Sequence, residues 1–214
     1  MTKTVKRAER ARALHSAGFS LFGEMLLVGV VCALLFVPFI TAVAGVAAGV
    51  RHLRRHVDGR SDTMREFLAD AWRCVRALVG FGALFVLWML WLGFDLWALT
   101  RLEIPGASVV SVVVALAGVA SLVAVLRLVG RWNPAAPIRH QLRAAVRLVW
   151  RDPAGSALLV FALGLAVLLV WMYPPMFIVT GGVISLAVVG VELRPRSRAP
   201  FRRLAAEVDE ERYA

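Results

Sequence analysis

The sequence predicts an all-α protein: a polytopic transmembrane bundle of about six membrane helices, arranged as three hairpins and joined by amphipathic cytoplasmic connectors. Three observations predict it. Of the 214 residues, 60% are hydrophobic and only 18% are charged, whereas a soluble domain has about half apolar and about a quarter charged. Runs almost free of charge occur around 25–50, 77–94, 104–126 and 157–191. In lipid, such runs must satisfy their own backbone hydrogen bonds, as helices do. Finally, of the 25 Lys and Arg residues all except Arg101 fall within 1–15, 51–76, 127–151 and 194–214. Basic residues gather in this way on the cytoplasmic side of a membrane.

The net charge of +11 would suggest nucleic acid as the partner of a soluble domain. In so apolar a chain it reads as topology, and nucleic acid is not expected. Arginine outnumbers lysine, and Ala and Val abound, a composition typical of GC-rich bacteria. The expected location is a bacterial cytoplasmic membrane, crossed several times, with both termini inside. Cys32 falls within a span and Cys74 beside a basic segment, so neither a disulfide nor a metal cluster is expected.

Residues 1–17 form a basic cytoplasmic N-terminus. The apolar run that follows is too long for a signal-peptide core, so it is expected to remain as the first span. From Gly18 to Val50 the only charge is Glu24. As one helix this stretch would be roughly 50 Å long, against a hydrocarbon core of about 30 Å. Pro38 divides it. Proline lacks an N–H and disfavours helix in the residue before it. A turn there also brings the basic clusters on either side of the run to the same face. The expected helices are 18–37 and 39–54, the second short enough to be re-entrant.

The same pattern returns near the C-terminus in WMYPPMFIVTGGVISLAVVGVELRPR. Pro38 and Gly45 are matched by Pro174 and Gly181 at the same offset, with Pro175 and Gly182 adjoining. Spans 155–173 and 176–193 are expected around this second proline turn, and spans 77–98 and 106–127 between the two. Residues 18–193 thus form one transmembrane domain, and 194–214 a charged cytoplasmic tail.

Two cytoplasmic connectors look amphipathic. In SDTMREFLADAWRCVR, Met64, Phe67, Leu68, Ala71, Trp72 and Val75 recur at helical spacing, and Thr63 with Glu66 reads as a capping box. In NPAAPIRHQLRAAVRLVWR, Ile138, Leu142, Ala145, Val146 and Val149 share one face. Arg139, Arg143, Arg147 and Arg151 recur every four residues on another, with Asn133 and Pro134 as the expected start. Such helices lie in the interface and attract anionic lipid headgroups. The arginines are therefore candidates for contact with lipid or with a cytoplasmic partner.

Other residues carry weaker signals. Glu24 is the candidate functional carboxylate within a span, because ionisable groups there are costly. Gly45 and Gly49 form a small-xxx-small motif. With Gly181 and Gly182 they are the candidate helix-packing positions, within the chain or towards a second copy. His52 and His56 are one helical turn apart but flanked by arginines, which reads as a solvated face rather than a metal site. Six of the seven tryptophans fall at the expected interfaces: Trp72, Trp132 and Trp150 inside, Trp91, Trp97 and Trp171 outside. No H-E-x-x-H, G-x-S-x-G or P-loop occurs, so no catalytic residue, metal ligand or cofactor is expected.

The order of these elements carries a resemblance. It runs from PFIT (38–41) and a small-residue helix, through EFLADAWR and a hydrophobic hairpin, to RWNPAAPIRHQLRAAVRLVWRDP and a last pair of spans. From about residue 20 to 193 the chain resembles the YesL-like family of bacterial membrane proteins, a domain of unknown function. The resemblance implies a membrane protein associated with carbohydrate uptake, and hence subunits of an ABC transporter as partners. It implies no catalytic or binding residues. The expected function is a non-enzymatic accessory or assembly component of a carbohydrate transport system. The alternative is a stand-alone transporter of a small or lipid-like solute, since internal repeats are common in transporters.

Overall fold

The computed structural model describes residues 23–58, 63–101, 106–134 and 136–194. The expected basic N-terminus, the start of the first span, much of the TRLEIPGAS loop and nearly all of the tail lie outside the described residues. Among the described residues there are seven α-helices and no strand. They are α1 (Gly23–Phe36), α2 (Ala42–Val57), α3 (Met64–Arg101), α4 (Ala107–Gly130), α5 (Ile138–Arg151), α6 (Pro153–Met172) and α7 (Phe177–Glu192). Four segments are long and apolar enough to cross a membrane: α3, α4, α6, and α7 with the 3₁₀ turn Pro174–Met176 that leads into it.

The run containing Pro38 is a helical hairpin. Residues 37–41 leave helical geometry between α1 and α2. Phe39 sits in the left-handed region at φ 52°, a conformation that favours glycine. The Thr41 hydroxyl donates to the Leu35 carbonyl, satisfying a group that the end of α1 leaves free. At the second proline pair, Tyr173 is extended and Pro174–Met176 makes a single 3₁₀ turn. The two turns lie side by side: the Phe36 and Phe177 rings meet edge to face with centroids 5.9 Å apart.

α2 has 16 residues, or about 24 Å at ~1.5 Å per residue, less than the ~30 Å hydrocarbon core. Its N-terminal turn abuts the middle of α3, where a Cβ on Gly82 would strike the Ile40 carbonyl. From there α3 runs on alone with α4 to Arg101.

The first connector is not a separate interfacial helix. Met64–Arg101 is one helix of 38 residues, joining the connector to the expected third span. No proline or capping residue interrupts VRALVGFG, and Gly80 and Gly82 do not stop a helix. The capping box is present: the Thr63 N–H donates to Glu66 Oε2 at 2.9 Å and the Glu66 N–H to Thr63 Oγ1 at 3.4 Å. The buried face differs from the expected one. Phe67, Asp70, Ala71, Cys74 and Leu78 point inward, whereas Met64, Leu68 and Trp72 are exposed.

The second connector is a separate helix, α5, which begins later than expected, at Ile138. Asn133, Pro134 and Ala136 are instead outside any helix, and the Gln141 side chain donates to the Asn133 and Ala136 carbonyls, both at 2.8 Å. Ala145 and Leu148 bury α5 against its neighbours α4 and α6.

Candidate functional site

Charge and structure meet at one end of the bundle. The last turns of α2 carry RHLRRHV, so helical periodicity sends its side chains to several neighbours. Arg51 Nε and Arg55 Nη2 donate to Asp70 of α3 at 3.0 and 2.7 Å, and Asp70 is buried. Arg51 also lies over the Trp132 ring, 5.6 Å from its centroid. Arg54 donates to the Gly130 carbonyl at 2.6 Å. This places a cation on the negative end of α4 and occupies a carbonyl with no partner in its own helix.

His52 and Glu24 join the same layer. His52 Nε2 is 2.8 Å from Glu24 Oε2, and its ring rests 4.3 Å from that of Phe67. His56 Nδ1 is 3.9 Å from the other oxygen of Glu24. The expected solvated face is thus corrected at His52, which is buried. The cause is helix direction: the arginines occupy the sides of α2 towards α3 and α4, and His52 faces α1.

The second half of the network centres on Arg127, which is fully buried. Its Nη2 donates to the Asp152 carboxylate at 3.0 Å, the Asp152 carbonyl at 3.2 Å and Ser156 Oγ at 3.4 Å. Its Nη1 lies 3.6 Å from Glu192 Oε1. Arg131 Nε donates to the other oxygen of Glu192. Asp152 also caps α6, accepting from the Gly155 N–H at 3.1 Å, with Pro153 in the first helical position. Burial drives the Asp152 carboxyl upward in pKa. The Gly155 N–H and the Arg127 guanidinium outweigh that, so it titrates below its ordinary value. A Cβ at residue 155 would strike both Asp152 and Arg127, so the close approach requires glycine.

This network is a clamp that holds the helices together. Each of its carboxylates meets at least one cationic side chain or histidine, and together they tie α1, α2, α3, α4, α6 and α7 at one level. Among the described residues no three His, Cys, Asp or Glu gather to hold a metal ion.

The candidate packing glycines converge on Cys32 of α1. A Cβ on Gly45 would approach the Cys32 backbone, one on Gly49 would meet Ser185, Val28 and Cys32, and one on Gly181 would collide with the Cys32 side chain. Gly182 faces the Met25 carbonyl. The Cys32 thiol donates to the Gly45 carbonyl at 3.3 Å, and both Cys32 and Cys74 are free. Pro38, Pro174 and Pro175 lie at the two turns.

The α5 arginines belong to neither cluster. Arg139, Arg143, Arg147 and Arg151 are all exposed. Arg101, at the opposite end of α3, lies over the Trp97 ring, and Asp95 is half-buried.

Sequence reasoning did not find Asp70, Arg127, Asp152 and Glu192 as a set. Two signals were present. Asp152-Pro153 before an apolar run reads as a cap followed by a first-turn proline. Arg127 and Glu192 are isolated charges at the ends of apolar helices, where a lone ion usually has a partner.

Together the fold and this end define an all-helical protein with four segments able to cross a membrane. Comparisons with known protein families, curated proteins and solved structures give no match.

Proposed function

We propose that the chain is a non-enzymatic, multi-pass protein of a bacterial cytoplasmic membrane that serves as an accessory or assembly component of a transport system. The arginine-rich end faces the cytoplasm, and the α1–α2 hairpin inserts beside the four long spans. The observation that carries this reading is the contrast among the arginines. Arg51, Arg54, Arg55, Arg127 and Arg131 are engaged inside the bundle. Arg139, Arg143, Arg147 and Arg151 present one cationic strip of α5 outward. A strip that leaves the fold intact without being used by it suits an acidic cytoplasmic partner. Carbohydrate as the transported class rests on the resemblance to YesL-like proteins.

The test is isolation from native membranes in mild detergent, with co-purifying proteins identified by mass spectrometry. Transporter subunits are expected with the native chain. They are expected to be lost from the R139E/R143E/R147E variant, which should insert and melt like the native chain. Equal recovery with both would overturn the docking role. A chain that purifies alone would favour a stand-alone transporter of a lipid-like solute, a reading supported by the apolar groove between α3, α4 and α5.

A further inference from the structure

α5 leans on α4 through Ala145 and Leu148, but it does not close against α3. Between the three helices lies a groove of about 480 Å³, open on one side. Small-molecule sites range over about 300–1,000 Å³, so the groove is large enough for a ligand.

Its floor is α4, where Ala120, Ser121 and Ala124 are too small to fill the gap between the larger side chains of the two walls. Phe85 and Trp88 form one wall; Val146 and Trp150 belong to the other. No ionisable group lines it. Its only hydroxyl, Ser121, is occupied: it accepts from Trp88 Nε1 at 3.2 Å and donates to the Ala117 carbonyl at 2.7 Å. The site therefore offers an occupant almost nothing but carbon. Trp150, at its mouth, is 81% exposed.

The charge lies just outside. Residues 139, 143, 146 and 150 follow a four-three-four spacing, which makes one stripe along an α-helix. Arg139 and Arg143 thus continue the flank whose Val146 and Trp150 line the groove, and both are exposed. Arg147 and Arg151 turn progressively away from it.

We infer that this groove binds one anionic glycerophospholipid of the surrounding bilayer, with an acyl chain between α3 and α5 and the headgroup phosphate on Arg139 and Arg143. Guanidinium matches phosphate with paired, charge-assisted hydrogen bonds. A second copy of the chain is the poorer occupant, because it would bring the same cationic strip against this one. The inference rests on the membrane reading and not on the accessory role.

The experiment reads tryptophan quenching in nanodiscs doped with phosphatidylglycerol or phosphatidylcholine carrying brominated acyl chains. Subtracting the signal of W150F isolates Trp150. Quenching of Trp150 should require less of the anionic lipid. At about fivefold per arginine, the preference should be on the order of 25-fold. R139Q/R143Q should abolish the preference while quenching persists. A120F, which fills the groove from an exposed position on α4 without adding a tryptophan, should remove quenching by both lipids. Equal quenching of the native chain by the two lipids would overturn the inference. So would an unchanged preference in R139Q/R143Q, or unchanged quenching in A120F. Thermal melts that match the native chain exclude misfolding as the cause. R147E/R151E separates the two readings, since it should weaken capture of transporter subunits and leave the lipid preference intact.

Discussion

Ten of the 16 residues of α2 are buried, against seven of the 38 in α3, although the two helices pack along each other. The more apolar helix is the more exposed one. α3 shows Leu84, Leu87, Leu90, Trp91 and Phe94 on its surface, whereas the interior of α2 is Ala, Gly and Val, with arginines at its end. In water this arrangement would be inverted. In lipid it is expected, because the hydrocarbon around α3 is as apolar as leucine, and helices associate by close approach and polar contacts instead. α2 is the axis of the bundle, packed against α3, α4 and α7, and the outer faces of α3, α4 and α6 form its exposed apolar surface.

The largest test removes a charge from the buried end of the bundle. Arg127→Met leaves Asp152 and Glu192 buried around a missing cation, and should cost about 3–5 kcal/mol. Arg101→Met, on the exposed end of α3, should change the melting temperature in detergent little. Similar losses from both variants would break the distinction between the buried, ion-paired end of the bundle and its exposed apolar surface.

Close approach comes next. Gly182→Leu drives a side chain into the Met25 carbonyl, whereas nothing lies within 4 Å of a Cβ on Gly164 of α6. The first should cost about 1–3 kcal/mol or more by overpacking, and Gly164→Leu should be neutral or slightly stabilising. Melting curves of the two purified variants decide.

A smaller effect follows from Asp152. Its folded pKa is lowered, so its contribution to stability is complete above the ordinary carboxylate value of about 3.9. That contribution should disappear as pH falls through the lower folded value. Melting temperatures measured on the acid side of pH 4 should show this loss in the native chain and a shallower one in Asp152→Asn. Smallest of all, each single charge reversal among Arg139, Arg143 and Arg147 should shift stability by about 0.5 kcal/mol or less, as at ordinary surface sites. A larger shift would place the α5 strip within the fold and not outside it.

Much of this was legible in the sequence. The turn at Pro38 followed from one residue and the length of the run around it. The arginine strip of α5 followed from four-residue spacing, and the capping box from Thr63 and Glu66. The packing glycines were legible as small residues at helical spacing, but not the cysteine they surround. His52 was misread, because a histidine among arginines looks solvated until Glu24 of α1 and Phe67 of α3 arrive on its other side. The fusion of the first connector with α3 was also hidden, since the switch from amphipathic to uniformly apolar pattern suggested a boundary where no helix-breaking residue stands.

The sequence by itself determined the solvent, the helical class, the proline turns and the clustering of the basic residues. These depend on composition and on spacings of three, four or seven residues, which any single segment displays. Only the tertiary structure decided which charges are buried together, that α2 is the axis, and that a groove remains beside α5. Arg127 meets Asp152 and Glu192 across separate helices, and whether an arginine faces a carboxylate or the headgroups depends on how those helices are rotated against each other. Local spacing carries no record of that rotation, because it is set by close packing around Cys32 and by the pairing of charges that lipid would otherwise leave uncompensated.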